Sequence, residues 1–215
     1  VSRVVMDWDR EARTGTAEAV LCEGKSPDIV AAIVDKALDH GRRLLLTRIS
    51  EHHLTVLDRP GVDLDRESGT AILGPPSSDT RAGACIVTAG SSDIGIAREA
   101  SRTLAFHGYA GPVISDVGVA GLWRLMERLD EIRSHRVLIA VAGMEGALFS
   151  VLTGLVRAPV IAVPSPVGYG VARDGAAALS SALATCAAGL TVVNTGNGFG
   201  AACAAIRMLR MADPE

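Results

Sequence analysis

Apolar positions follow two different patterns along the chain. From residue 27 to about residue 40, Ile29, Val30, Ile33, Val34, Ala37 and Leu38 recur at helical spacing, and Gly41 stops the run. Ser26, Pro27 and Asp28 just before them read as N-cap, first helical residue and acidic first turn. Around this helix, residues 18–22, 43–49, 53–57 and 70–73 are short apolar runs that predict strands. Beyond residue 80 the pattern becomes a strict alternation. Strands are predicted over 84–89, 112–115, 136–141, 159–163 and 190–194. Helices are predicted over 94–107, 118–132, 145–156, 174–185 and 200–211.

The two patterns meet at Pro75, Pro76, Ser77, Ser78 and Asp79, a linker composition. A small α/β unit over 1–79 and a larger domain over 80–215 are therefore expected. Strands that are apolar throughout belong in a parallel sheet covered on both faces, which predicts three αβα layers. Right-handed crossovers place all strand C-termini along one edge. Four loops collect there: Gly90-Ser91-Ser92-Asp93, Asp116-Val117-Gly118, Gly143-Met144-Glu145-Gly146, and 164–170 with Tyr169 and Gly170. Ligands bind at that edge in doubly wound domains.

Composition narrows the class. Hydrophobic residues make up 48% of the chain and aromatics only 3%, which suits close-packed α/β layers better than a β-sandwich. The net charge is −3 without a basic stripe, so nucleic acid is not the expected partner. No apolar run reaches the ~20 residues of a membrane span, and residues 1–13 lack a signal-peptide core. Cys22, Cys85, Cys186 and Cys203 form no C-x-x-C and have no paired histidines. A disulfide framework or zinc site is not expected, and a cytoplasmic setting fits.

Cys186 lies between a helix end and the strand over 190–194, and is expected beside the strand ends where ligands bind. A free cysteine is also an ordinary apolar residue, the reading given to Cys22, Cys85 and Cys203. Glu145 sits in a glycine-flanked turn. It is either a favourable acid in a helix's first turn or a partly desolvated base. A thiol and a carboxylate on neighbouring turns would make a reaction centre. Ser91, Ser92 and Asp93 offer hydroxyls and a carboxylate to a phosphate or ribose, or cap the helix that follows. Their loop is neither G-x-G-x-x-G nor a Walker A loop. Asp116 is an N-cap or a functional carboxylate. Asn194, Asn197, Gly198 and Gly200 form a polar turn that holds ligand or supports the Cys186 loop. The five histidines read as surface or capping groups.

In order, the loops at Gly90, Asp116–Gly121, Ala142–Leu148 and Val167–Gly170, then Cys186 and 194–200, resemble the LarB family. These are the pyridinium-3,5-biscarboxylic acid mononucleotide synthases of nickel-pincer cofactor biosynthesis. Their second half is similar to aminoimidazole ribonucleotide carboxylase (PurE-type), a flavodoxin-like parallel sheet. Glu23-Gly24-Lys25 and Leu46-Thr47-Arg48 extend the resemblance into the first unit, so it covers nearly the whole chain.

The resemblance implies carboxylation of nicotinic acid adenine dinucleotide at pyridinium C5, with carbon dioxide or bicarbonate as co-substrate. It also implies phosphoanhydride hydrolysis releasing AMP, magnesium on the substrate phosphates, and a homo-oligomer, octamer or dimer. Cys186 matches the family's catalytic cysteine, and Glu145 its acid/base position. Ser91, Ser92, Asp93, Asp116, Gly118, Gly143, Met144, Gly146, Tyr169, Gly170, Asn194 and Asn197 are the expected substrate-binding positions, and no metal ligands are assigned. Thiolate addition at C4 makes the ring neutral and C5 nucleophilic. C5 then attacks carbon dioxide, Glu145 removes the C5 proton, and loss of the thiolate restores aromaticity. A helix C-terminus disfavours a thiolate at Cys186, and a bound cationic ring would offset that.

The chain departs from the family pattern at Phe149, Pro166, Ala188 and Gly196, the last removing a common aspartate. Two other functions fit the same fold. One is a PurE-type carboxylase or mutase, which uses a histidine where this chain has Glu145. The other is a non-catalytic nucleotide-binding protein.

Overall fold

The computed structural model describes residues 4–77 and 80–212. The chain forms two compact units, Val1–Ser78 and Asp79–Glu215. Of the expected linker, Ser78 and Asp79 lie outside the described residues, as do Val1, Ser2 and Arg3 of the N-terminal stretch.

The first unit contains α1 (Arg10–Thr14), β1 (Ala19–Leu21), α2 (Pro27–Asp39), β2 (Leu44–Thr47), α3 (Glu51–Leu57), β3 (Val62–Asp65) and β4 (Thr70–Leu73). Its sheet runs β1-β2-β4-β3, with β1 and β2 parallel and the other pairs antiparallel. The helix α2 starts where Pro27 presets the backbone, although Ser26 makes no side-chain cap bond. It buries Val30, Ile33, Val34 and Ala37 against Leu44 and Leu46 of β2. Each fully buried Val or Ile there is worth about 2 kcal/mol.

Two local readings are corrected in this unit. Residues 53–57, expected as a strand, form the C-terminal part of α3. The turn is nucleated from its start: the His53 ring reaches back, and its Nδ1 accepts the Ser50 N–H at 3.0 Å. The strand β3 is absent from the sequence expectation, because its Asp63 and Asp65 interrupt the apolar signal. It pairs only with β4 and lies at the sheet edge, where charged residues are favoured.

The second unit contains β5 (Ala84–Thr88), α4 (Ile94–Phe106), β6 (Val113–Ile114), α5 (Leu122–Glu127), α6 (Leu129–Arg133) and β7 (Val137–Ala142). It continues with α7 (Ala147–Leu155), β8 (Val160–Pro164), α8 (Ala176–Leu183), β9 (Leu190–Val192) and α9 (Gly198–Ala212). The sheet runs β6-β5-β7-β8-β9 and every pairing is parallel. This is the doubly wound order of the flavodoxin-like fold.

Alternate strand residues serve opposite faces, which is why the strands read as apolar throughout. Ile86, Ile139, Val141, Ile161 and Val163 pack with α4 and α9. Val87, Leu138, Ala140, Val160 and Ala162 pack on the other face with Leu125, Ile132, Leu148 and Ala178. The α4–α9 contact is made of small residues. Ala97 and Ala100 meet Ala201 and Ala202, and a β-carbon on Gly198 would lie 2.4 Å from the Ile96 carbonyl. Buried Glu99 accepts the Phe199 N–H at the start of α9. Ile206 and Leu209 of α9 are buried within this unit. Met211 is exposed.

The helix expected over 118–132 is broken. A 3₁₀ turn over Val119–Gly121 precedes α5, and the chain leaves helical geometry at Arg128 before α6. Among the described residues, no helix is long and apolar enough to cross a membrane.

Candidate functional site

A cavity of about 230 Å³ opens at the C-terminal ends of β5 and β7. Three loops build it. The first begins at Thr88, a fully buried residue ending β5. Its hydroxyl donates to the Gly90 carbonyl at 3.0 Å and accepts the Asp116 N–H at 3.3 Å, tying the β5 loop to the β6 loop. Ser91–Asp93 form one 3₁₀ turn that runs into α4. Ser92 lines the cavity; Ser91 is exposed on the same turn.

Asp93 lines the cavity yet is only 3% exposed. Its Oδ2 accepts the Gly90 N–H at 3.1 Å, and its Oδ1 is buried without a partner. Burial pushes the carboxyl above the usual carboxylate range, against the opposing pull of the Ser165 hydroxyl and the Gly90 N–H.

The second loop places Asp116 at φ 59, in the left-handed region. The Asp116 carboxylate is exposed and takes the Arg124 guanidinium at 2.5 Å. Arg124, not Asp116, lines the cavity. Gly118 lies against the first loop, where a β-carbon would come within 2.6 Å of the Ala89 carbonyl oxygen. The third loop is closer still. A β-carbon on Gly143 would lie 2.1 Å from the Val167 carbonyl oxygen, so glycine is required. Met144 follows at φ 50 and Gly146 at φ 66. The Met144 N–H donates to that same Val167 oxygen at 3.2 Å.

Glu145 lines the cavity from this turn and is exposed, so the single chain does not provide the desolvation expected for it. The turn stands beyond the strand end, where few atoms cover the carboxylate. Phe149, the departure one turn later, is fully buried and packs against Gly146.

The remaining expected positions fall elsewhere. Tyr169 is 76% exposed, and Gly170, at φ 59, is exposed beside it. Asn194 uses Oδ1 to accept the Thr195 N–H, and Asn197 caps α9 by accepting the Gly200 N–H at 2.7 Å. Neither lines the cavity.

Cys186 requires a correction. It belongs to the connection from α8 to β9, which enters the parallel sheet at the strand N-termini, opposite the cavity edge. Its neighbour Thr185 bonds the Ser150 hydroxyl of α7 at 2.8 Å, and the thiol is exposed. The expectation of neighbouring turns overlooked that a loop before a parallel strand and a loop after one lie on opposite edges.

Of the other thiols, Cys22 and Cys85 are buried in the core and Cys203 is half-buried. Burial pushes Cys22 and Cys203 up to about 11 and Cys85 up to about 12. His40, His107 and His135 bond helix-end carbonyls as expected, whereas His53 is buried. Arg124 and Ser165 are additions that the sequence does not signal. Ser165 is fully buried and accepts the Val167 N–H, and nothing in its Pro-Ser-Pro context distinguishes it from a turn serine.

Magnesium, implied by the resemblance, can be tested against these residues. Among the described residues no group of three or more His, Cys, Asp or Glu side chains is placed to hold a metal ion. The described residues therefore form no metal cage of their own.

The second unit is a doubly wound domain with a cavity at the C-terminal ends of its strands. Residues 84–215 match the AIR carboxylase family, and residues 1–71 match the LarB/PurE-like N-terminal domain. The chain belongs to the LarB family, with an N-terminal domain of that kind preceding a PurE-like domain. It is 34% identical over 210 residues to an uncharacterized protein of Methanocaldococcus jannaschii, spanning 93% of this chain and 81% of the relative. The crystal structure of Treponema denticola PurE covers 62% of this chain and 92% of its own, at 19% identity and a TM-score of 0.42. That of a singly substituted Treponema denticola PurE2 covers 62% and 91%, at 18% identity and a TM-score of 0.43. The strand order, rather than these overlaps, carries the fold assignment.

Proposed function

We propose that the protein carboxylates the pyridinium C5 of nicotinic acid adenine dinucleotide with carbon dioxide and hydrolyses its phosphoanhydride. The products are pyridinium-3,5-biscarboxylic acid mononucleotide and AMP. The observation that carries this reading is the cavity of a LarB-family chain, with Glu145 at its mouth and Asp93 inside it. Glu145, exposed and ionisable, is suited to take the C5 proton once a ligand covers it. The Asp93 turn and the start of α4 suit an oxygen-rich ligand. Small-ligand pockets commonly span about 300–1,000 Å³, so this one matches the nicotinic acid ribosyl half better than the whole dinucleotide. Magnesium in this reading rides on the ligand's phosphates and keeps most of its waters.

The thiol step needs Cys186 at C4, yet Cys186 is not among the residues lining the cavity of its own chain. The proposal therefore takes the thiol from a second copy, in the homo-oligomer that the resemblance implies. A second reading is favoured by the same placement. Carboxylation of an aminoimidazole ribonucleotide needs no thiol, and the AIR carboxylase match extends over the whole domain that holds the cavity.

One experiment separates them. The protein is incubated with nicotinic acid adenine dinucleotide, bicarbonate and magnesium, and products are read by mass spectrometry. AMP and a mononucleotide heavier by one carboxyl group are expected, and are absent with Cys186→Ala or Glu145→Gln alone. Dissociating and reassembling the two variants together restores part of the activity if the thiol comes from a neighbour. Turnover of the aminoimidazole ribonucleotide instead, indifferent to Cys186→Ala, sinks the leading reading.

A further inference from the structure

The first unit has a cavity of its own, to which the proposed reaction assigns no role. It measures about 480 Å³ and opens where β1 and β2 end. The two strands are parallel, so the turns that follow them emerge on one edge. The turn after β1 carries Glu23 and Lys25, and the turn after β2 carries Arg48 and Ser50; all four line the cavity. Their backbone is fixed from several sides. Cys22 donates its N–H to the Thr47 carbonyl, and Ile49 donates to the Gly69 carbonyl, both at 2.9 Å. Arg48 is held between these bonds at φ 55, a conformation that a residue with a side chain keeps only where its surroundings impose it. Buried His53 joins the two turns. Its Nδ1 accepts the Ser50 N–H at 3.0 Å, so its proton sits on Nε2, which donates to the Lys25 carbonyl at 3.0 Å. This neutral clamp fixes the backbone that carries Lys25 and, two residues before Ser50, Arg48.

The Lys25 ammonium donates to the Leu21 carbonyl at 2.5 Å and has further N–H donors beyond that bond. The Arg48 guanidinium presents a planar fork of donors, a shape that matches phosphate oxygens. Glu23 adds one carboxylate to the same lining, whereas Asp28 and Glu51, in the first turns of α2 and α3, are not part of it. Two cations beside one carboxylate suit neither a bare anion nor a bare cation. They suit a ligand with a phosphate at one end and hydroxyls at the other, since a carboxylate accepts from hydroxyls. The volume lies within the range of about 300–1,000 Å³ common for small-ligand sites. We propose that the first unit binds a ribose phosphate here, free or as part of a nucleoside monophosphate. Lys25 and Arg48 take the phosphate and Glu23 takes ribose hydroxyls.

Ribose 5-phosphate, AMP and inorganic phosphate are each titrated calorimetrically into the full chain, and hydrogen–deuterium exchange locates what each protects. Saturable binding of ribose 5-phosphate or AMP is expected, with protection over residues 22–27 and 48–53. Arg48→Gly removes the cation and leaves the backbone content, because glycine adopts that φ readily. It is expected to weaken binding about tenfold, the scale of one charge-assisted pair, and Lys25→Met to do the same. Glu23→Gln separates the two ends of the ligand. It is expected to weaken ribose 5-phosphate about threefold while inorganic phosphate binds no less tightly, because a like charge has gone. Equal affinity for ribose 5-phosphate and AMP assigns the site to a sugar phosphate, and tighter AMP assigns it to a nucleotide; either sustains the proposal. No saturable binding of either below about 1 mM overturns it. So does protection confined to the second unit, affinity unchanged in Arg48→Gly, or inorganic phosphate binding as tightly as both.

Discussion

The two units build the same kind of edge and finish it differently. Both place turns after parallel strands, and both set a non-glycine residue there in the left-handed region. Arg48 follows β2 at φ 55, Asp116 follows β6 at φ 59, and Met144 follows β7 at φ 50. Both bury a titratable group beneath those turns. In the first unit it is His53, 3% exposed. Its Nδ1 accepts the Ser50 N–H and its Nε2 lies 3.0 Å from the Lys25 carbonyl, so both ring nitrogens are occupied. In the second it is Asp93, with one oxygen unpaired. A satisfied buried polar group fastens loops together, whereas an unsatisfied one adds a desolvation cost that no bond offsets. The strand and turn pattern is shared, and the contrast resides in single atoms.

The comparison breaks most sharply at glycine. Gly143→Ala drives a β-carbon into the Val167 carbonyl, backbone against backbone, and is expected to cost about 3 kcal/mol in denaturant unfolding. Gly24→Ala in the first unit meets no atom within 4 Å, and its cost is only the left-handed backbone, about 1 kcal/mol. Equal losses would mean that the third loop yields more readily than its packing implies. His53→Ala comes next. It strips the Ser50 N–H and the Lys25 carbonyl of their common partner and is expected to cost about 2 kcal/mol, with the loss confined to the first unit's transition.

Two aspartates carry opposite pH signatures. Arg13 and Arg10 hold Asp7 down at about 2, below its ordinary 3.8. Its contribution is present above 3.8 and is lost as pH falls through about 2. Being exposed, it also shrinks in salt. Asp93 is raised, so the folded state holds its proton longer than the unfolded chain does. Its effect on stability is absent well below 3.8 and grows as an increasing penalty as pH climbs from there through the raised value. Unfolding curves of Asp7→Asn and Asp93→Asn across pH should therefore diverge from the parent in opposite windows. The smallest effect is expected from Arg48→Gly and Met144→Gly. Each relieves a left-handed strain but loosens the unfolded chain, leaving a net change under about 1 kcal/mol.

The second unit was largely legible because its strands are short, apolar and separated by helices of ordinary length. The first was less so. His53 to Leu57 alternates like a strand, and only the backward reach of His53 to Ser50 makes it helical. That contact is invisible to periodicity. The β3 strand was hidden by two aspartates that suit an edge position. At the site, Gly118, Gly143, Asp93 and Glu145 were readable from their places in the turns. Arg124 was not, because it enters the cavity from a helix whose start depends on where the chain breaks near Gly121. Cys186 was readable as a motif residue and misplaced in space, because motif order along a chain does not record the edge of the sheet on which each loop emerges.

The small-residue contact between α4 and α9 also constrains how this chain can change over evolutionary time. Ala97, Ala100, Gly198, Ala201 and Ala202 leave no slack between the helices, and α4 carries Asp93 at its head. A single added methyl group in that seam has to be absorbed by sliding α4 along its axis. The displacement would reach the cavity before it loosened the core. Neutral drift is thus closed to a strip of alanines far from any chemistry, and a compensating change would have to arise on both helices together.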